Sequence, residues 1–156
     1  AVQRVNEARF CLLVALALFT MPAAAQERQW GLQTTEDDAF LMFGVPDTDD
    51  VGLSLWCRLQ SGRISLFVPV AGKAREGQRL PLRLDLGGRV WRLPARLSRD
   101  DATGRLNAEA DLRPITGITR ALARAQVMKL RINGRDTAYP LGDADIPGLL
   151  AACARP

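Results

Sequence analysis

The chain has 156 residues, with 21 Lys and Arg against 17 Asp and Glu, a net charge of +4. That length suits one domain with a core of its own, and so small a positive surplus argues against a nucleic-acid-binding role. There is no histidine, which removes Ser–His and Cys–His nucleophile pairs, His-ligated zinc and the most frequent general base.

The chain opens with the polar, mildly basic AVQRVNEAR, followed by the apolar run FCLLVALALF (10–19) and then TMPAAAQ. Ala23 and Ala25 hold the small-residue positions before Gln26. This is the order of a secretory signal peptide, and the run is shorter than the roughly 20 residues a membrane-spanning helix needs. Cys11 lies inside the run rather than after a small-residue cleavage motif, so it does not mark a lipoprotein site. The expectation is a signal peptide over 1–25 and one β-rich periplasmic domain over 26–156, without a transmembrane segment. Removing the signal leaves Cys57 and Cys153, which in an oxidising compartment most simply form a disulfide.

Two strands are expected early, in RQWGLQTT and AFLMFGV, with PDTDD as the loop after them. DTDDVG resembles the opening of a calcium loop through Asp47, Asp49 and Gly52. Its twelfth position is Arg58 rather than a bidentate glutamate, so no metal is expected. VGLSLWCRL (51–59) alternates, with Val51, Leu53, Leu55, Cys57 and Leu59 on one face, and ISLFVPV (64–70) repeats the pattern after the turn QSGR. The two read as a hairpin, and Pro69 makes its end an edge or bulge. Trp56 has the opposite parity to Cys57 and, with Phe67, forms a candidate aromatic contact, for instance with a sugar.

RLPLRLDLGGRVWRLPARL (79–97) is a second hairpin about the two-residue turn Gly87-Gly88. Taken literally, the turn sets Leu86 opposite Arg89 and Leu84 opposite Trp91, with Leu82 facing Leu93 and Leu80 facing Ala95. On the other side Arg83 faces Arg92, Pro81 faces Pro94 and Arg79 faces Arg96. Like charges directly opposite one another weaken a sheet. Arg79, Arg83, Arg92 and Arg96 are therefore either part of a charge ladder with the acids of the next strand on the wet face or a candidate patch for an anionic ligand. RLNAEADL (105–112) supplies a third strand, expected to lay Asp111 beside Arg92 and Asn107 beside Arg96, with Glu109 between them.

ITRALARAQ then carries a helical period, VMKLRI and TAYPL form a further strand pair about NGRD, and the chain closes on GDADIPGLLAACARP. There Asp143 or Asp145 can cap a helix that presents Ile146, Leu149, Leu150 and Cys153 on one face. Gly148 weakens that helix, so the bridge from Cys153 to the Cys57 strand is expected to pin it. The fold class is mainly β: an antiparallel β-sandwich or partly open barrel with two short helices, the second at the C-terminus.

P-loop, GxSxG and GxGxxG signatures are all missing from the sequence. The layout resembles a group of small exported proteobacterial proteins without an assigned activity, through Trp30, LSLWC, YPL and LLAAC. The resemblance implies a periplasmic location and a bridge between the two cysteines, and it carries over no catalytic residues. The expected function is a non-enzymatic binding or accessory protein of the cell envelope, without cofactor, metal or nucleic acid. Its expected partner is an envelope protein or an anionic envelope component. The alternatives are a His-independent hydrolase using Asp100, Asp101 or Glu109, or a structural part of an envelope or secretion assembly.

Overall fold

The computed structural model describes residues 27–112 and 115–156; the expected signal segment and Cys11 lie outside the described residues. The elements in chain order are β1 (Gln29–Thr34), β2 (Asp38–Gly44), β3 (Val51–Arg58), β4 (Ser65–Pro69), β5 (Arg79–Leu86), β6 (Arg89–Arg99), β7 (Leu106–Asp111), α1 (Ile115–Arg124), β8 (Val127–Ile132), β9 (Arg135–Pro140) and α2 (Ile146–Cys153). All strands join one antiparallel sheet in the order β1-β2-β3-β4-β7-β6-β5-β8-β9, which curls into a half-barrel. Of the two architectures expected, the partly open barrel is the one that forms. A sandwich would need the ladder to break into two sheets, and the β4–β7 and β5–β8 pairings keep it continuous.

Strict alternation builds the core. Leu41, Leu53, Leu55, Leu66, Leu82, Leu84 and Leu97 point inward and are almost wholly buried. β7 ends and β8 begins at the end of the sheet that carries Cys57, so α1 spans that end and buries Ile118 and Leu122 there. β9 returns the chain to the same side, and α2 adds Ile146 and Leu149. Fully burying each such side chain stabilises the fold by about 1.5–3 kcal/mol relative to exposure.

α2 is held by more than its own propensity. Asp145 is its N-cap and accepts from the Gly148 N–H at 2.9 Å. At the other end, the Gln60 and Gly62 amides donate to the Ala152 and Cys153 carbonyls at 3.0 and 2.8 Å, satisfying acceptors that a helix C-terminus leaves open. Cys57 and Cys153 form a disulfide with Cα atoms 5.8 Å apart. Gly148 also has a packing reason, because a Cβ there would approach Leu32 Cδ2 to 2.8 Å and collide with the Asp145 carboxylate.

The 79–97 hairpin has the expected register residue for residue. Gly87 and Gly88 take φ of 63° and 86°, the left-handed values a primed turn requires. In such a hairpin the pair flanking the turn exchanges both backbone bonds, and bonded and non-bonded pairs alternate from there. Pro81 and Pro94 therefore oppose each other as a non-bonded pair, with the Pro81 nitrogen directed at β8 and the Pro94 nitrogen at β7. Neither carries a hydrogen to donate. Both outer ladders stop accordingly, β5–β8 at Arg83 and Arg131 and β6–β7 at Ala95 and Ala110.

β7 sits two residues away from its expected position. Glu109 opposes Arg96 and Asn107 opposes Ser98, so Asp111 does not lie beside Arg92. β6 runs on to Arg99 before turning, and the turn is closed by bonds from Asp100 N to Arg105 O and from Gly104 N to Asp100 O. A shift of two preserves the faces, so Ala108 and Ala110 remain inside.

Candidate functional site

The convex face of β6, β5 and β8 carries one row of cations. Arg92 lies opposite Arg83, and Arg83 lies opposite Arg131 on its other side. All are exposed. Arg83 and Arg92 form a non-bonded pair, the closer of the two antiparallel spacings. Asp136 on β9 continues the row and pairs with Arg131 at 3.2 Å. Among the described residues, one carboxylate thus stands in register with three guanidiniums. The Arg79–Arg96 pair lies two rows away, and there Glu109 adjoins Arg96. The four arginines expected to form a patch share one face, but they fall into two groups, and the denser group includes Arg131.

That residue was missing from the expected set for a specific reason. Parity alone puts Lys129 and Arg131 of VMKLRI on the outward face, yet nothing local shows that β8 pairs with β5. The pairing follows from α1 carrying the chain across the barrel end.

Where the β5–β8 ladder stops, the strands separate. The β8–β9 turn, with Asn133 at φ 49° and Gly134 at φ 75°, is bonded to the loop before β5 instead, Asn133 Nδ2 donating to the Ala71 carbonyl at 3.2 Å. A cleft of about 460 Å³ opens there, floored by Leu80, Leu82 and Ile132, with Arg83, Arg92 and Arg131 at its lip. Pro81 is the cause of the separation, since it withholds the donor that would have extended the ladder. A concave apolar floor under a forked, permanently charged rim is a geometry that receives an anion and gives bidentate hydrogen bonds to it.

The aromatic candidates lie on the same outer surface, several strands away. Trp56 is flanked by Phe40 on β2 at 6.4 Å between ring centroids and by Phe67 on β4 at 6.4 Å. All are half-buried. Phe40 was not among the expected contacts, although its even parity in DAFLMFG places it on the outer face with Met42. Rings at these separations support one another and leave part of their faces to solvent.

The acids considered for catalysis do not converge. Asp100 serves its own turn, accepting from the Ala102 and Thr103 amides at 2.8 and 2.9 Å. The Thr103 bond chiefly holds its carboxyl below the usual range. Glu109 is in the middle of β7 beside Arg96. In the 47–50 loop, Arg28 bonds the Asp50 carboxylate at 2.6 Å and lowers its pKa, so this acid is engaged by a cation of the chain itself. Among the described residues no group of His, Cys, Asp or Glu is arranged to hold a metal ion, and no helix is long and apolar enough to cross a membrane. Compared with protein-family models, curated proteins and solved structures, the chain matches none.

Proposed function

We propose that this chain is an exported, non-enzymatic binding module of the cell envelope that engages an anionic envelope component through its arginine face. The observation that carries the reading is the Arg92–Arg83–Arg131 row at the lip of the cleft. Directly opposed like charges cost a sheet about 0.2–1 kcal/mol per pair, and an anion seated between them converts that repulsion into attraction. Export is supported by the signal-like order of residues 1–25 and by a disulfide that suits an oxidising compartment. The ligand chemistry that fits is a phosphate group on an envelope glycolipid or an acidic protein segment.

The test is titration of oxidised protein with vesicles bearing a phosphorylated glycolipid, at low and high salt, for wild type and Arg83→Ser/Arg92→Ser. Binding that weakens with salt and falls about tenfold or more in the double variant is expected, since hydrogen bonds to charged groups contribute about 1.5–3 kcal/mol. The variant should also melt higher at low salt once the repulsion is removed. Equal binding by both proteins, or no binding, would overturn the reading. Fractionation of the producing cell tests export, with the processed protein expected in the periplasm and beginning at Gln26.

A further inference from the structure

The end of the half-barrel opposite the helices holds a second concavity of about 460 Å³. Its walls are inward side chains of β4, β7 and β8, namely Val68, Leu106, Leu130 and Ile132. Behind them lies buried Tyr139, whose hydroxyl donates to the Gly52 carbonyl at 3.2 Å. Gly52 reaches that position because β3 carries an extra residue opposite Gly44, and a bulge of this kind re-aims the backbone.

What keeps this end open is the composition of β9. Arg135, Thr137 and Tyr139 stand beside Ile132, Leu130 and Met128, the inward row of β8. Of the β9 residues only Tyr139 is buried, so a cation and a hydroxyl occupy core-facing positions on an exposed concave surface. Two more cations reach the same mouth from other segments. Arg28 lies over Gly52, where a Cβ would come within 2.9 Å of its Nη1, and is steadied by Asp50. Arg105 donates to the Asp49 carbonyl at 3.4 Å, and its charge is also felt by the Asp50 and Asp100 carboxylates, with neither of which it forms a close ion pair. An inward charge on an edge strand also discourages edge-to-edge pairing. That purpose accounts for Arg135 alone and not for the arrival of Arg28 and Arg105.

Apolar walls, a rim of guanidiniums and a far end plugged by helices select a ligand with two chemical parts. The volume lies within the roughly 300–1,000 Å³ of small-molecule sites. We propose that this mouth binds an amphiphilic anion: a single acyl chain laid along Val68, Leu106, Leu130 and Ile132, with its carboxylate or phosphate head held by Arg28, Arg105 and Arg135. The site shares Ile132 with the floor of the first cleft but none of the arginines of the β6, β5 and β8 row.

The experiment is calorimetric titration of the oxidised protein, below micelle-forming concentrations, with dodecanoate, with lauroyl lysophosphatidic acid and with the zwitterionic lauroyl lysophosphatidylcholine. Saturable one-to-one binding of dodecanoate or of the phosphate is expected, and whichever binds identifies the head group. The zwitterion should bind at least tenfold more weakly. Thr137→Trp, a change at an exposed position that fills the mouth, should abolish binding. Arg135→Gln should weaken it about tenfold, and Arg83→Ser/Arg92→Ser should leave it intact. Circular dichroism confirms that each variant is folded. Failure of both anions to bind, equal affinity for the zwitterion, or wild-type binding by folded Thr137→Trp would each overturn the proposal.

Discussion

Reducing the Cys57–Cys153 disulfide should remove a large share of the stability of this domain. The bridge spans 96 residues of sequence, and closing a loop of that length in the unfolded chain is worth about 4–5 kcal/mol in the chain-entropy model. Small domains have only about 5–15 kcal/mol in total, so reduction leaves a marginal fold. For a domain of this size the loss corresponds to a fall in Tm of roughly 12–20 °C. Cys57 and Cys153 are 1 % and 2 % exposed, so a reductant reaches the sulfurs only after α2 lifts from the sheet. Reduction at native conditions should therefore be slow and should accelerate in mild denaturant.

The assay is guanidinium unfolding of oxidised protein, of protein reduced and refolded in reductant, and of Cys57→Ala/Cys153→Ala. Reduced wild type isolates the loop effect because no atoms are removed, while the double variant adds the loss of two buried sulfurs. Native-state hydrogen exchange separates global from local consequences. If the bridge acts mainly on the unfolded chain, protection should fall everywhere by a similar free energy; if it mainly pins the helix, α2 amides should lose protection first. The bonds from Gln60 and Gly62 and the Asp145 cap keep α2 docked without the bridge, so the first pattern is expected. A difference between oxidised and reduced protein of less than about 1 kcal/mol would refute the reasoning.

Tyr139 is the only tyrosine in the chain, so phenolate absorbance reports it alone. Burial raises its pKa, against smaller opposing effects of the Arg28 charge and the Thr137 hydroxyl. The folded protein should thus titrate above the ordinary tyrosine value of about 10, and a midpoint at or below it would contradict the buried position. Because the folded pKa is the higher one, stability from this group is complete below about pH 10 and declines as pH rises towards the folded pKa; Tyr139→Phe should lack that decline. Gly148→Ala, ordinarily favourable in a helix by about 0.5–1 kcal/mol, should here be neutral or destabilising by up to about 1 kcal/mol, because Asp145 must move and weaken its cap. Stabilisation beyond about 0.5 kcal/mol in chemical denaturation would show that the cap adjusts freely. A double-mutant cycle of Trp56→Ala and Phe67→Ala should give a coupling of about 0.5–1.5 kcal/mol, and additive losses would mean the rings only share a surface.

The parts of this fold that sequence made legible are those governed by neighbours in the chain. Gly87-Gly88 dictates the register of β5 and β6 because a two-residue turn permits no other. Alternation through Val51, Leu53, Leu55 and Cys57 aims Cys57 inward because a strand has period two. The placement of β7 was off by two, since RDDATG admits more than one closure and both keep Ala108 and Ala110 inside. The partnership of β5 with β8, and with it Arg131, depends on a crossover of many residues whose direction no local pattern encodes. Arg135 was equally hidden, because a cation four residues before a strand's buried tyrosine looks like an ordinary end of a strand until β8 shows which way it faces.

The same distinction explains how one sheet comes to have two openings. Pro81 ends a ladder by withholding a donor, while Arg135 and Thr137 leave a concave end unfilled by offering polar groups where a core would need apolar ones. Neither feature prevents folding, because the opposite end is sealed by α1, α2 and the disulfide. The free edges are steadied by side chains rather than by a ladder: Trp30 Nε1 donates to the Pro140 carbonyl at 2.5 Å, and Phe43 meets Tyr139 edge-on at 5.9 Å. A seam closed by side chains holds the barrel's curvature without forcing its mouth shut. Stability is thereby concentrated at the helical end, and cations collect where the sheet is least complete, at a cleft and a mouth that a fully paired barrel would not possess.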